Sequence, residues 1–232
     1  MTQFSAEEKR GIYRAIYERR DVRSNFLPTP VPDDVLARIL DAAHHAPSVG
    51  FMQPWDFLVI RDESVRTKVR ENFERTNRQA AAIYEGEQRN LYDNLKLGAI
   101  MEAPVNLCVT CDHQRTKGAG LGRQTNPSTD LYSTVCAVQN LWLAARAESL
   151  GAGWVSILDT ESLKATLEIP EHVTLVAYLC IGYVSEFGSQ PDLEKRGWEH
   201  REELANLIHY DRWNLRQSSA STIPAPLPSD PG

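Results

Sequence analysis

Three arginines surround one carboxylate near the amino terminus of this chain. Arg19 and Arg20 precede Asp21, and Arg23 follows it by two positions. Guanidinium groups are planar, stay charged at any working pH and can bind a phosphate through two parallel hydrogen bonds. A carboxylate held among them could serve as a general base. The cluster therefore indicates an anion-binding site or, alternatively, an ordinary solvated end of a charged helix.

Composition limits what this anion can be. The 232 residues carry a formal net charge of −6, with 42% hydrophobic and 24% charged residues, which is ordinary for a soluble globular protein. No broad basic surface for nucleic acid or an anionic membrane is expected. Residues 1–8 lack the features of a secretion signal, and no run is apolar for long enough to span a bilayer. We expect a cytoplasmic protein whose arginines bind something small.

The cysteine pattern does not predict a disulfide framework or a metal site. Cys108, Cys111, Cys136 and Cys180 are too few and too scattered for a chain of this length. Cys108 and Cys111 have C-x-x-C spacing, but they lie in a strand-like run, and no second Cys pair or nearby His pair would complete a zinc site. Buried, reduced thiols are expected.

An amino-terminal helix must deliver the arginine cluster. Ser5 and Glu8 form a capping box, which predicts a helix that begins near Ala6. The apolar residues expected on its inner face are Ile12, Ala15 and Ile16. Because the carboxyl end of a helix repels anions, any phosphate there must be bound by side chains.

The other predicted elements favour an α+β fold. Strands are predicted at 56–60, 105–110, 154–157 and 174–182. Further helices are predicted to begin near Asp33 and to cover 63–98, 130–150, 163–169 and 199–208. Strands and helices do not alternate regularly, so we expect a central mixed sheet wrapped by helices and not a doubly wound sheet.

The chain is expected to form one domain over residues 1–216, because no convincing linker interrupts it. The segment 63–98 has a helical pattern but is highly charged, which is typical of an exposed or mobile region; alternatively it is a lid over a site. Residues 217–232 are rich in serine and proline, so a disordered tail is predicted there.

The motifs taken together resemble those of the nitroreductase-like flavoprotein superfamily. They are Arg-Arg-x-x-Arg-x-x-Phe, Ala-Pro-Ser followed by Gln-Pro-Trp-x-Phe, a long central helix, Gly-x-Gly and a late arginine. The resemblance implies an intertwined homodimer that binds FMN at its interface. The cofactor-binding residues that it implies are Arg19, Arg20, Asp21, Val22, Arg23, Ser48, Gln53, Gly153, Trp154, Ser156 and Arg201.

Within this set the resemblance implies distinct roles. The phosphate would be bound by Arg19, Arg20, Arg23 and Arg201. Ser48 and Gln53 would reach the flavin from the partner subunit. The backbone near Gly153 and Trp154 would lie beside the flavin ring.

Asp21 and Ser156 narrow the resemblance to one branch. Ordinary nitroreductases usually have a serine at the position of Asp21, whereas Arg-Arg-Asp-Val-Arg with Gly-Trp-Val-Ser-Ile looks like the BluB family of 5,6-dimethylbenzimidazole synthases. That family consumes reduced FMN and molecular oxygen to make the lower-ligand base of cobalamin. The resemblance implies that Asp21 transfers protons while the flavin is fragmented and erythrose 4-phosphate is released. Ser156 would donate a hydrogen bond.

Alternative interpretations stay open for both residues and for the whole chain. By pattern alone, Ser156 is equally a half-buried strand serine bonded to backbone. An NAD(P)H-dependent nitroreductase would retain FMN as a cofactor, and a flavin-binding module without turnover would give Asp21 and Ser156 no chemical role. In the synthase interpretation, a lid would leave little room for a nicotinamide, so a separate reductase is expected to supply FMNH2.

Overall fold

The computed structural model describes residues 3–213, so the predicted tail at 217–232 lies outside the described residues. The helices are α1 (Ala6–Glu18), α2 (Asp33–His44), α3 (Glu63–Ala81), α4 (Gly86–Asp93), α5 (Thr129–Ala147), α6 (Thr160–Thr166) and α7 (Asp192–Lys195). The strands are β1 (Trp55–Ile60), β2 (Val105–Asp112), β3 (Leu150–Trp154) and β4 (Val173–Tyr183). Short 3-10 turns occur at Val49–Phe51 and Leu204–Leu207. The expected α+β class is confirmed.

The four strands form one sheet in the order β1-β2-β4-β3. Every strand pairs antiparallel with its neighbour. The parallel component of the expected mixed sheet is an isolated bridge between Asp21 and Ala152. The segment that carries the arginine cluster therefore lies along the outer edge of β3.

The two faces of the sheet bury two separate apolar clusters. Leu107 and Val109 of β2 lie in the cluster that includes Ile39 of α2 and Leu141 of α5. Cys108, between them on β2, points to the other cluster. This alternation follows from the period of two in a strand. The helix α5 lies at the centre of the first cluster.

The cysteine prediction is confirmed within the described residues. Cys108, Cys111 and Cys180 are buried, Cys136 is half-buried, and all four are free thiols. Burial raises the pKa of Cys108 and of Cys180 to about 12 each, since the thiolate would be poorly solvated there. These two thiols are therefore unreactive at neutral pH.

The predicted bounds of the strand after α5 were wrong. The strand begins at Leu150 and ends at Trp154, so it does not start at Trp154. Ser149, with φ of 61°, makes the left-handed turn after α5, a position that glycine usually occupies. Ser156 consequently lies beyond the strand and not within it.

The helix predicted at 199–208 was also wrong. Only the 3-10 turn Leu204–Leu207 forms there, and α7 lies earlier in the chain. Leu204 and Leu207 are 58% and 61% exposed, so the segment has no buried apolar face to stabilise a helix. Arg201 lies in the irregular stretch between α7 and this turn.

The capping box of α1 is confirmed, but its expected inner face is not buried. The Glu8 amide donates to Ser5 Oγ at 3.2 Å, and the Ser5 amide donates to Glu8 Oε2 at 2.6 Å. Ile12 and Ile16 are 46% and 40% exposed, Ala15 is half-buried, and α1 has no buried residue. No part of residues 3–213 therefore covers the apolar side of α1.

The segment 63–98 divides into two helices that pack differently. Helix α3 buries Val69, Asn72 and Ala81, and it packs on α6. Helix α4 buries Tyr92 alone. The lid stays a prediction, with α3 anchored in the core. Among residues 3–213, no helix combines the length and apolarity needed to cross a bilayer.

Candidate active site

The Asp21 carboxylate is held through both of its oxygens where the chain crosses β3. The Trp154 amide donates to Asp21 Oδ1 at 2.9 Å. Arg23 donates to Asp21 Oδ2 and, at 3.1 Å, to the Trp154 carbonyl. The Val22 amide donates to the Ala152 carbonyl at 3.0 Å, which fixes the backbone beside the carboxylate. The carboxylate is therefore oriented by its own segment, through Arg23, and by β3, which is far away in sequence.

Gly153 permits this crossing. A Cβ atom at Gly153 would lie 2.0 Å from the Val22 carbonyl oxygen, and one at Gly151 would lie 2.6 Å from a Val184 methyl group. No side chain can occupy the first position without moving backbone. The Gly-x-Gly motif is thus required for close approach of two segments, and not for a turn.

Arg19 keeps its hydrogen-bond donors free within the described residues. Its guanidinium lies over the Trp142 ring, 5.0 Å from the centroid. The Trp142 indole donates to the Arg20 carbonyl at 3.3 Å, which holds the backbone of the cluster against α5. A stacked guanidinium of this kind can still bind an anion through its edge.

Arg20 has a more structural role than the sequence predicts. Its guanidinium donates to the carbonyls of Tyr17 and Arg19, both at 2.8 Å, and to that of Ser189 at 2.6 Å. These bonds tie the end of α1 to the segment that follows β4. Only Arg20 Nε is left, buried and without a partner among the described residues.

Arg146 was not among the predicted site residues. It lies in the last turn of α5, where it donates to Glu18 Oε2 at 3.1 Å and lies 4.1 Å above the centroid of the Phe187 ring. Its Nε is buried and has no partner in the described part of the chain. A basic residue in the last turn of a helix is common, so its sequence signal was weak.

Positive charge accumulates around Arg20. Burial lowers the pKa of Arg20, because the charged guanidinium is partly removed from water. The positive charges of Arg19, Arg146 and Arg201 lower the same pKa further, and the carboxylate of Glu18 opposes them. The structure therefore brings Arg201 within electrostatic range of the cluster, and a bound anion would offset the excess charge.

Ser156 is exposed and lies two residues beyond Trp154. Its carbonyl accepts from the Leu158 amide at 3.0 Å, while its hydroxyl has no hydrogen-bond partner between residues 3 and 213. The half-buried strand serine considered as an alternative is therefore excluded. The hydroxyl faces solvent on the loop that follows β3.

Ser48 and Gln53 lie on a loop at the amino end of α5. The Gln53 amide donates to Ser48 Oγ at 3.1 Å, and the Val49 amide donates to Ser133 Oγ at 3.0 Å. Lys117 donates to Gln53 Oε1. Gln53 has a φ of 52°, so the loop is held in a conformation that side chains rarely adopt.

The predicted site residues thus fall into two groups at opposite ends of α5. Ser133 and Trp142 are nine residues apart on one helix, which corresponds to about 14 Å along its axis. The first group is Ser48 and Gln53. The second group is Arg19, Arg20, Asp21, Val22, Arg23, Gly153, Trp154, Ser156 and Arg201. Within one chain the two groups are not brought together.

A second polar cluster links β2, α5 and β4. Asp130 is fully buried and bonds His113 Nδ1 at 2.8 Å and Arg123 at 3.0 Å, while His113 Nε2 bonds Thr174 Oγ1 at 2.7 Å. Cys111 is close enough to share a metal ion with His113 and Asp130. However, a cation would have to displace the Arg123 guanidinium, so we interpret the cluster as structural.

Comparisons with known proteins show the family of this chain. The sequence pattern of the nitroreductase family matches residues 16–183. A 5,6-dimethylbenzimidazole synthase of Rhodospirillum rubrum is 42% identical over 198 residues, which cover 85% of this chain and 93% of the relative. One from Rhodobacter capsulatus is 37% identical over 84% of this chain and 94% of the relative.

Solved structures share the fold. An iodotyrosine deiodinase bound to FMN and 3-iodo-L-tyrosine superposes with a TM-score of 0.68 at 23% identity, over 88% of this chain and 98% of that one. A BluB-like flavoprotein of Clostridium difficile superposes with a TM-score of 0.65 at 17% identity, over 87% and 99%. At these identities the likeness concerns the fold alone.

Proposed function

Because the chain belongs to the nitroreductase family, we propose that it is an oxidoreductase of the 5,6-dimethylbenzimidazole synthase type. Its substrate is FMNH2, its co-substrate is molecular oxygen, and its products are 5,6-dimethylbenzimidazole and erythrose 4-phosphate. The base then supplies the lower ligand of cobalamin. One observation carries the proposal beyond family membership: the Asp21 carboxylate is fixed by the Trp154 amide and Arg23 beside the arginine cluster.

The arginine cluster fits the phosphate of FMN. Arg19 has free donors, and Arg20 and Arg146 each have a buried Nε without a partner among the described residues. The lowered pKa of Arg20 reflects burial and excess positive charge that a phosphate dianion would offset. Arg201 lies within range of the same anion. Because erythrose 4-phosphate retains this phosphate, the same arginines can hold substrate and product.

Asp21 is proposed to move protons at the reacting ring. Fragmenting the flavin requires protons to leave and reach carbon and nitrogen atoms, whereas a plain reductase needs only to hold the flavin. Each carboxylate oxygen accepts two hydrogen bonds, so Asp21 keeps acceptor sites beyond those used by Trp154 and Arg23. General base catalysis of this kind contributes about 10² to 10⁴ in rate.

Ser156 is proposed to hold a reacting oxygen or nitrogen atom by a hydrogen bond. Its hydroxyl is exposed and unengaged within the described residues, and it follows the Trp154 amide by two positions. A hydroxyl is too weak an acid to supply protons by itself, so its contribution is orientation.

A homodimer is proposed to complete the site. The group at the amino end of α5, with Ser48 and Gln53, is separated from the arginines of its own chain. In a dimer whose two α5 helices lie antiparallel about a two-fold axis, the Ser48 and Gln53 group of one chain would lie beside the arginine group of the other chain. The exposed apolar residues Ile12 and Ile16 of α1 offer surface for such an interface.

Product analysis tests the proposal. The protein is incubated with FMNH2 in air, and 5,6-dimethylbenzimidazole and erythrose 4-phosphate are measured by chromatography with mass spectrometry. We expect both in equal amounts, and neither without oxygen. Recovery of intact oxidised FMN together with NAD(P)H-dependent reduction of a nitroarene would instead identify a conventional nitroreductase.

The source of FMNH2 is tested in the same assay. When NADPH and FMN replace FMNH2, we expect product only after a separate flavin reductase is added. Product formation from NADPH and FMN by this protein alone would show that it reduces its own substrate.

A further inference from the structure

The loop 155–159, which joins β3 to α6, carries Ser156 between two anchors. At its start, the Val155 amide donates to the Tyr178 carbonyl of β4 at 2.9 Å. The Leu158 amide then donates to the Ser156 carbonyl at 3.0 Å, which closes a tight turn. The Ser156 hydroxyl makes no hydrogen bond to residues 3–213. The position of this hydroxyl therefore depends on what fixes the far end of the loop.

Asn72 of α3 fixes that far end. The Asp159 amide donates to Asn72 Oδ1 at 2.8 Å, and Asn72 Nδ2 donates to the Asp159 carbonyl at 2.9 Å. Asn72 is 3% exposed, whereas Asp159 is exposed, so the two bonds lie at the edge of the core. The side-chain amide thereby bonds one residue of the loop as a neighbouring strand would, with its donor and acceptor both satisfied.

The side-chain amide of Asn72 serves to hydrogen-bond the backbone and not to fill apolar space. An apolar residue there would leave the backbone amide and carbonyl of Asp159 without this partner, which costs free energy wherever water does not replace it. Asp159 also caps α6, because its side chain accepts from the Ser162 amide at 3.0 Å. The bond from Asn72 therefore holds a residue whose own position starts the next helix.

We propose that Asn72 is a positioning residue that sets the place of Ser156 relative to Asp21. The inference rests on the proposed function, since that function gives Ser156 its role. It also ties α3, part of the lid predicted at 63–98, to the loop that bears the serine. Movement of α3 would shift Ser156 along with it.

A double-mutant cycle tests the inference in the full-length protein. The variants are Asn72→Ala, Ser156→Ala and the combination, and the measurement is the rate of 5,6-dimethylbenzimidazole formation at saturating FMNH2. We expect Asn72→Ala to lower kcat about tenfold and to change the Kd for FMN less than about twofold. In the Ser156→Ala background, we expect the Asn72 substitution to have no further effect on kcat.

Arg75→Ala is the matched control. Arg75 lies on the same helix and donates to Ser162 Oγ at 3.4 Å, so it contacts α6 without bonding the backbone of the Ser156 loop. We expect its kcat to equal that of the wild type. Hydrogen exchange of the peptide 155–160 should accelerate in Asn72→Ala and stay unchanged in Arg75→Ala.

A conservative variant guards against simple loss of folding. Asn72→Asp keeps the shape and the acceptor for the Asp159 amide, but it loses the donor to the Asp159 carbonyl. Because two oxygen acceptors would then face each other, we expect kcat to fall at least as far as in Asn72→Ala, while an unchanged circular dichroism spectrum shows that the protein is still folded.

Three results would overturn the inference. They are fully additive losses in the cycle, unchanged exchange of the 155–160 peptide in Asn72→Ala, and a normal kcat for Ser156→Ala. Failure of the proposed function is seen separately, because then the wild-type protein would form no 5,6-dimethylbenzimidazole at all.

Discussion

The two ends of α5 carry candidate site residues of opposite character. At the carboxyl end, Asp21 is bonded to a distant strand, and four arginines gather around one place. At the amino end, Ser48 and Gln53 lie on a loop that is held by a hydrogen bond between them and by bonds from Lys117 and Arg115 to Gln53. The candidate residues at the carboxyl end are mostly charged and lie where two segments meet, whereas Ser48 and Gln53 are themselves uncharged and are held by a loop.

This difference suits a ligand that is itself polarised. A flavin mononucleotide has a doubly charged phosphate at one end and an uncharged, hydrogen-bonding ring at the other. Charged donors are the appropriate partners for the phosphate, and neutral amides and hydroxyls are appropriate for the ring. One chain separates these partners by about 14 Å along α5, and the proposed homodimer would supply them from two chains.

The largest expected effect comes from breaking the crossing at the carboxyl end. Gly153→Ala would place a Cβ atom 2.0 Å from the Val22 carbonyl oxygen, which is backbone. We expect loss of folded protein or destabilisation by more than about 4 kcal/mol in urea unfolding. Gly11→Ala on α1, where no atom lies within 4 Å, should stabilise by about 0.5 to 1 kcal/mol. Equal midpoints for Gly153→Ala and wild type would contradict the described crossing.

Asp21→Asn tests proton transfer at the same end of α5. The substitution keeps the shape of the side chain but removes the group that takes up a proton. The amide oxygen can still accept from the Trp154 amide, but the side chain can no longer take up a proton. We expect the rate of 5,6-dimethylbenzimidazole formation to fall about 100-fold or more, with FMN still bound. Asp34→Asn, an exposed carboxylate on α2, is the control and should be fully active. Product formation by Asp21→Asn at the normal rate would remove Asp21 from proton transfer.

Arg19→Gln tests whether Arg19 binds the phosphate of FMN or its ring. The substitution removes a charged donor, so we expect the affinity for FMN to fall about tenfold. Riboflavin lacks the phosphate, and its affinity should not change. Fluorescence quenching of each flavin by the protein measures both values, with Arg10→Gln on the exposed side of α1 as the control. An equal loss for FMN and riboflavin would mean that Arg19 does not bind the phosphate.

Mixing two weakened variants tests whether the two ends meet across chains. If each site takes arginines from one chain and Gln53 from the other, Arg19→Gln and Gln53→Ala chains form mixed dimers with one intact site. Refolding them together in equal amounts should restore about a quarter of wild-type activity at FMN concentrations that do not saturate either variant. No recovery above the average of the separate variants would place both ends of each site in one chain.

Local sequence patterns predicted the parts of this protein that depend on near neighbours. The capping box of α1, the buried α5 and the alternation of β2 follow from residues a few positions apart, because helix and strand periods are local. The arginine cluster also stood out by spacing, whereas Gly-x-Gly entered with the family resemblance. The apolar side of α1 was recognised as apolar, but the expectation that it is buried was wrong, because no described part of the chain packs over Ile12 and Ile16.

Only the tertiary structure decided which residues meet. Asp21 is bonded to Trp154 across 133 positions, and Asn72 to Asp159 across 87. Such partners depend on how packed segments cross, and no local period encodes that. For the same reason Ser156 was placed inside a strand by its apolar neighbours, and Arg146 was overlooked. The sequence by itself determined the charged cluster and its carboxylate; the packing of β3 against the end of α1 determined that the carboxylate is held, and by what.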